Sequence, residues 1–226
     1  MHRTRLPRWA VARGRALNDF PALEPSATAL VVIDMQAAFV ADGEVFGNPH
    51  ARDVVGNVNA LARAFRAGGA PVIWTRQTHT HSGPAAPPPW QYDETDPDVA
   101  KAVAALQADA PGHALYREMD VGPADLVVDK HRYGAFSCPL RALPNTLERL
   151  GARMLVICGT LTNVCCESTA REAYFAGYKV ILVPDACAAV TDTEHNAALL
   201  NLRINFADVK RTREVLRMAG PSGRPS

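Results

Sequence analysis

Val156-Ile157-Cys158-Gly159-Thr160-Leu161-Thr162-Asn163-Val164-Cys165-Cys166-Glu167-Ser168-Thr169-Ala170 passes from an apolar run, through a glycine and a short polar turn, into a helix that opens on a cysteine. A strand, a tight turn and a helix start bring backbone N–H groups and the positive end of a helix dipole to one thiol. The stretch reads as a sheet edge that presents a nucleophile.

The rest of the chain supplies the remainder of such a sheet. Ala29-Leu30-Val31-Val32-Ile33 is a short continuous apolar run, as expected of a central strand buried on both faces. Val54, Val58, Leu61 and Phe65 recur at helical spacing and stop at Gly68-Gly69. Further strands are predicted at 71–74, 126–129, 153–157, 178–183 and 206–209, and further helices at 98–106, 143–150, from Cys165 onward, and 193–204. Strands alternating with helices imply an α/β fold with a mostly parallel sheet. A long Pro-rich loop spans 75–98, a length that usually marks a cover over a site or a disordered segment.

At 226 residues and 48% hydrophobic content the chain can bury one sizeable core, and one main domain is expected. Its 24 basic and 23 acidic residues leave a net charge of +1, which gives no field toward nucleic acid or an anionic membrane. No apolar stretch approaches the roughly 20 residues of a membrane span, so a cytoplasmic location is expected. The five cysteines lack zinc-ligand spacing and are expected as reduced thiols.

Three residues stand out as chemical groups. Asp34 and Lys130 each follow a predicted strand, where open parallel sheets place ligands, so they can face one another across a crevice. Cys165 and Cys166 point about 100° apart on a helix. Cys166, Ala170, Ala173 and Gly177 form a small-residue stripe suited to packing, which leaves Cys165 at the helix mouth for chemistry. Asp34 would take the thiol proton and return it to a leaving amine. Phe39, Trp90, Tyr133 and Phe136 are candidate pocket walls, and Gln36 and Asn163 candidate braces. His195 is expected to bond a neighbour at a helix start. His79 and His81 lie one residue apart in the long loop, but histidines in polar loops are more often solvated, and no metal is expected. Arg3, Arg5, Arg8, Arg13 and Arg15 lack a sustained period and suggest an arm packed on the body or on a neighbouring subunit.

The strand ending Ile33-Asp34-Met35-Gln36, the strand-end Lys130, and Gly159-Thr160-Leu161-Thr162-Asn163-Val164-Cys165 through Ala173 together resemble the isochorismatase-like cysteine hydrolase superfamily over roughly 28–209. The resemblance implies a Rossmann-like three-layer α/β/α sandwich, with an arm at 1–26, the hydrolase domain at 27–219 and a disordered tail at 220–226. It further implies a triad of Asp34, Lys130 and Cys165, a cis peptide before Leu161, and an oxyanion hole made by the N–H groups of Leu161 and Cys165. Cysteine at 165 points to C–N cleavage through a covalent thioester, since isochorismatases proper generally lack it. The run 159–173 looks closest to ureidoacrylate, biuret and streptothricin amide hydrolases, so a small amide, ureide or lactam is the expected substrate, with no cofactor and with assembly into a homodimer or homotetramer. Nicotinamidases carry an Asp-x-His metal motif after the second strand, where this chain has Gln77-Thr78-His79. The rival readings are a vinyl-ether hydrolase using Asp34 as acid, a non-catalytic binding domain of the same fold, and a redox pair at Cys165-Cys166, the last disfavoured because adjacent cysteines bridge only with strain.

Overall fold

Strand β1 (Thr28–Ile33) is buried along its whole length, as its β-branched and leucine side chains require of a strand covered on both faces. The computed structural model describes residues 1–219 and surrounds β1 with β2 (Val72–Gln77), β3 (Leu126–Lys130), β4 (Met154–Thr160), β5 (Lys179–Ala188) and β6 (Asp208–Val209). The spatial order is β3-β2-β1-β4-β5-β6, and every neighbouring pair is parallel. The chain builds outward from β1 to β3, then returns to lay β4 on the other side of β1, with Ile33 opposite Gly159. That reversal opens a crevice at the carboxyl ends of the strands.

Helices cover both faces and complete three layers. They are α1 (Arg8–Leu17), α2 (Ala37–Val40), α3 (Pro49–Ala67), α4 (Pro97–Ala105), α5 (Ala142–Arg149), α6 (Glu167–Phe175), α7 (Asp192–Asn201) and α8 (Thr212–Ala219). The apolar stripe of α3 buries Val54, Val58, Leu61 and Phe65. Asn48 caps its start by accepting from the His50 amide at 3.0 Å, and Pro49 supplies a preset first turn. A reciprocal capping box between Thr191 and Glu194 starts α7.

Three expectations change. Residues 8–17 form a helix rather than an aperiodic arm; only Ala10 and Gly14 are buried on it, too few and too small to register as an apolar stripe. It packs on the body, where Arg203 donates to the carbonyls of Val11 and Asn18 and pairs with Asp208. β4 and β5 run to Thr160 and Ala188, beyond the apolar runs that announced them, because parallel pairing continues through Gly159–Cys187 and Thr160–Ala188. Finally, Cys165 does not open an α-helix: Thr162–Cys166 form a single π-helical turn that leads into α6, a device that recurs at functional sites. The tail at 220–226 lies outside the described residues. Among the described residues no helix is long and apolar enough to cross a membrane.

Gly159 sits at the contact between β1 and β4 with φ of +118°, and a Cβ there would lie 2.1 Å from the carbonyl oxygen of Ile33. Backbone cannot yield as a side-chain tip can. Gly159→Ala is therefore expected to lower stability by about 3 kcal/mol or more, read as a fall in the midpoint of chemical denaturation.

Candidate active site

Asp34 follows β1 directly and adopts the left-handed region, at φ of +48°, a conformation that short polar residues tolerate better than others. Thr75, on the neighbouring strand, fixes it twice. The Thr75 carbonyl and hydroxyl both lie 3.2 Å from the Asp34 amide, and the hydroxyl donates to Asp34 Oδ1 at 2.7 Å. Gln36 ties the same loop to the end of β2 by donating to the Gln77 carbonyl and accepting from the Gln77 amide.

Lys130 ends β3 and extends across β2 to reach the carboxylate. Its Nζ lies 2.8 Å from Asp34 Oδ2 while donating to Gln77 Oε1 at 2.7 Å and to the Arg132 carbonyl at 3.0 Å. The contact with Oδ2 is a buried ion pair between groups that are both shielded from solvent. Asp34 therefore has two unlike oxygens: Oδ1 is held by a hydroxyl, and Oδ2 faces an ammonium.

The third group is Cys165, which touches both the carboxylate and the ammonium. Burial pushes its thiol up to about 12; Lys130 pulls the other way, and Asp34 adds to the rise. Burial alone would pull the Lys130 ammonium down, but Asp34 and Cys165 outweigh it and hold its pKa above the ordinary value. At neutral pH the cluster thus holds an ammonium beside a protonated thiol. Cys166 is fully buried and packs against Cys187 instead. The helical stripe separates the two cysteines correctly as far as Ala173, although Gly177 lies beyond α6 in an exposed turn.

The Thr160–Leu161 peptide is cis. In the turn that follows, the amides of Val164 and Cys166 donate to the Leu161 carbonyl, bonds in which the amides of Leu161 and Cys165 take no part. His195 is buried away from the cavity. Its Nδ1 lies 2.9 Å from Thr162 Oγ1, and its ring stacks on His2 at 4.3 Å between centroids. His2 Nδ1 in turn lies 2.8 Å from Asp192, so the first residues of the chain are linked through two imidazoles to the turn that carries Cys165. Burial first, then His2, pushes the His195 ring down to about 3, so it stays neutral.

Beside Cys165 opens a cavity of about 190 Å³. Phe39 and Tyr133 line it, but two expected walls do not. Trp90 is 83% exposed, because the loop turns its neighbour Tyr92 inward instead. Phe136 packs edge-on against Tyr178 at 5.5 Å, at a separate, larger depression of about 770 Å³ lined by Arg141, Arg153 and Lys179, which contains none of Asp34, Lys130 and Cys165. Phe46, Tyr92, Val103 and Leu106 complete the walls and were not anticipated. The helical spacing of Val103 could have marked a buried face on α4, whereas nothing local distinguishes Tyr92 from Trp90. His79 also reaches the cavity. With His81 and Glu94 it brings three ligand atoms within 4.8 Å of one another, and His79 stands buried while the other two are exposed. This set fits a divalent cation completed by solvent, provided His81 Nε2 releases Gln107, 2.7 Å away.

The chain is similar to known proteins over most of its length. The Isochorismatase domain family matches residues 28–214. Nicotinamidase 3 of Arabidopsis thaliana is 32% identical, over 79% of this chain and 82% of that protein. Ureidoacrylate amidohydrolase RutB of Pseudomonas savastanoi pv. phaseolicola is 30% identical, over 90% and 88%. The crystal structure of a cysteine hydrolase from Pseudomonas syringae pv. phaseolicola 1448A superposes with a TM-score of 0.79 at 28% identity, covering 90% of this chain and 96% of that one. With the family matched across the whole sheet, the chain belongs to the isochorismatase family.

Proposed function

We propose that the protein hydrolyses a carbon–nitrogen bond of a small amide, ureide or lactam through a thioester on Cys165. The observation that carries this reading is the buried carboxylate of Asp34 set against both a protonated thiol and an ammonium. The relatives named nicotinamidase and ureidoacrylate amidohydrolase support the same bond class.

In the proposed cycle Cys165 Sγ attacks the carbonyl carbon as its proton passes to Asp34 Oδ2. The oxyanion forms against the amides of Leu161 and Cys165, where each donor is worth about 3 kcal/mol in such sites. The C–N bond then breaks as Asp34 returns the proton to the nitrogen, releasing ammonia or an amine. Water, deprotonated by the same carboxylate, attacks the thioester, and the departing sulfur recovers the proton. Lys130 pairs with the Asp34 carboxylate between steps and offsets negative charge that develops nearby.

Acid-quenching the enzyme during turnover and measuring intact mass tests this. Ammonia release accompanied by an acyl adduct on the peptide containing Cys165 is expected. Turnover that survives alkylation of Cys165 with no adduct would instead fit acid catalysis by Asp34 on a vinyl ether, and would end the thioester reading.

A further inference from the structure

Residues 1–5 dock on the start of α7, a place where the proposed cycle asks nothing of them. His2 Nδ1 lies 2.8 Å from Asp192 Oδ1, its Nε2 accepts from the Ala189 amide at 3.0 Å, and Asn196 donates to the Arg3 carbonyl at 3.0 Å. These bonds hold the His2 ring between two other imidazoles, with its centroid 4.2 Å from that of His50 and 4.3 Å from that of His195. The His2 side chain is only 1% exposed.

Helix α7 does not need this contact to begin, because Thr191 and Glu194 already cap it. What the His2 ring covers is His195, which is fully buried and whose Nε2 has no hydrogen-bond partner among the described residues. An apolar side chain would pack there at less cost, since a buried polar atom without a partner is unfavourable. The bond that offsets the cost is on the other nitrogen, from Nδ1 to Thr162 Oγ1 at 2.9 Å. Thr162 is itself fully buried and opens the π-helical turn that ends at Cys166. That turn has few bonds of its own, and the amides of Val164 and Cys166 share the Leu161 carbonyl. Contacts from outside therefore hold it in place, the Thr162–His195 bond among them. Kept from water such a bond is strengthened, and the His2 ring keeps water from it.

We infer that His2 is a positioning residue for the reaction: through the His195 ring and Thr162 it seats the turn that carries Cys165. This rests on the reading of Cys165 as the nucleophile and adds to it a residue that never touches substrate.

His2→Ala in the full-length protein tests this by two independent readouts. Hydrogen exchange followed by mass spectrometry is expected to show residues 161–166 exchanging at least about tenfold faster, with β1–β3 unchanged and the thermal midpoint within about 5 °C of the parent. Ammonia release from ureidoacrylate and nicotinamide is expected to give a kcat at least about tenfold lower, with KM within about threefold. Thr162→Val completes a double-mutant cycle: the double variant should be no slower than Thr162→Val alone, because both changes act on one contact. Should alanine prevent folding, His2→Asn, which keeps a donor toward Asp192 but loses the ring over His195, takes its place with the same expectations. Unchanged exchange at 161–166, exchange that rises throughout the sheet, or additive losses in the double variant overturn the inference and leave Cys165 as the nucleophile. No release by the parent from either amide counts against the hydrolase reading alone, and the exchange pattern still decides the role of His2.

Discussion

Cys165→Ala is expected to reduce kcat/KM by about three orders of magnitude or more, the scale seen when a nucleophile that acts in concert with its base is removed, while the thermal midpoint stays close to that of the parent. The side chain that is lost is a single buried sulfur on the cavity wall, so little packing is removed with it. Cys166→Ala is the paired measurement. That residue is fully buried beside Cys187 and away from the cavity, so the change should cost about 1 kcal/mol of stability and leave activity within a few fold. Comparable losses of activity in both variants would mean that the turn, rather than one thiol, had been damaged, and the assignment of roles would fail.

Asp34→Asn should lower kcat by about 10²–10⁴, the usual contribution of a positioned base, and should also change the pH profile. In the parent protein burial holds the thiol up to about 12 and the Lys130 ammonium lies above its ordinary value. Neither group loses its proton between about pH 7 and 10, so kcat/KM is expected to stay flat there. In the asparagine variant solvent must deprotonate the thiol, and the residual rate should climb with pH. A parent profile that rises through pH 8–9 would show that a free thiolate attacks, leaving no role for the carboxylate. Lys130→Met provides a contrasting outcome. It strands a buried carboxylate without its counter-charge, so a loss of about 3–5 kcal/mol in stability should accompany the loss of activity.

How much of this was readable beforehand depended on how each feature is encoded. The sheet was legible because β1 and the first part of β4 are uninterrupted apolar runs, and the proximity of Asp34 and Lys130 followed from strand ends in a parallel sheet. The walls were not. Trp90 and Tyr92 sit two apart in a proline-rich loop with no period, and only the tertiary path decides that Tyr92 faces the cavity while Trp90 faces solvent. The first helix escaped notice because close approach of backbones holds it: a Cβ on Gly14 would lie 2.0 Å from the Arg203 carbonyl. Thr75 gave no signal at all, since a threonine in a strand is ordinary until its hydroxyl is seen on Asp34. The π-helical turn at Thr162–Cys166 is likewise invisible to a helical period, because it adds one residue to a turn without changing which residues are apolar.

The strand order also has a meaning for the protein as it leaves the ribosome. Asp34 and Lys130 are made first, on one side of the sheet, and their strands can pair through β2 while the second half of the chain is still being synthesised. The proposed nucleophile arrives last, in the turn that follows the strand returning beside β1. A truncated chain would therefore carry the carboxylate and the ammonium but not the thiol, and under the proposed mechanism hydrolysis begins only when synthesis has passed the long-range pairing that also commits the fold.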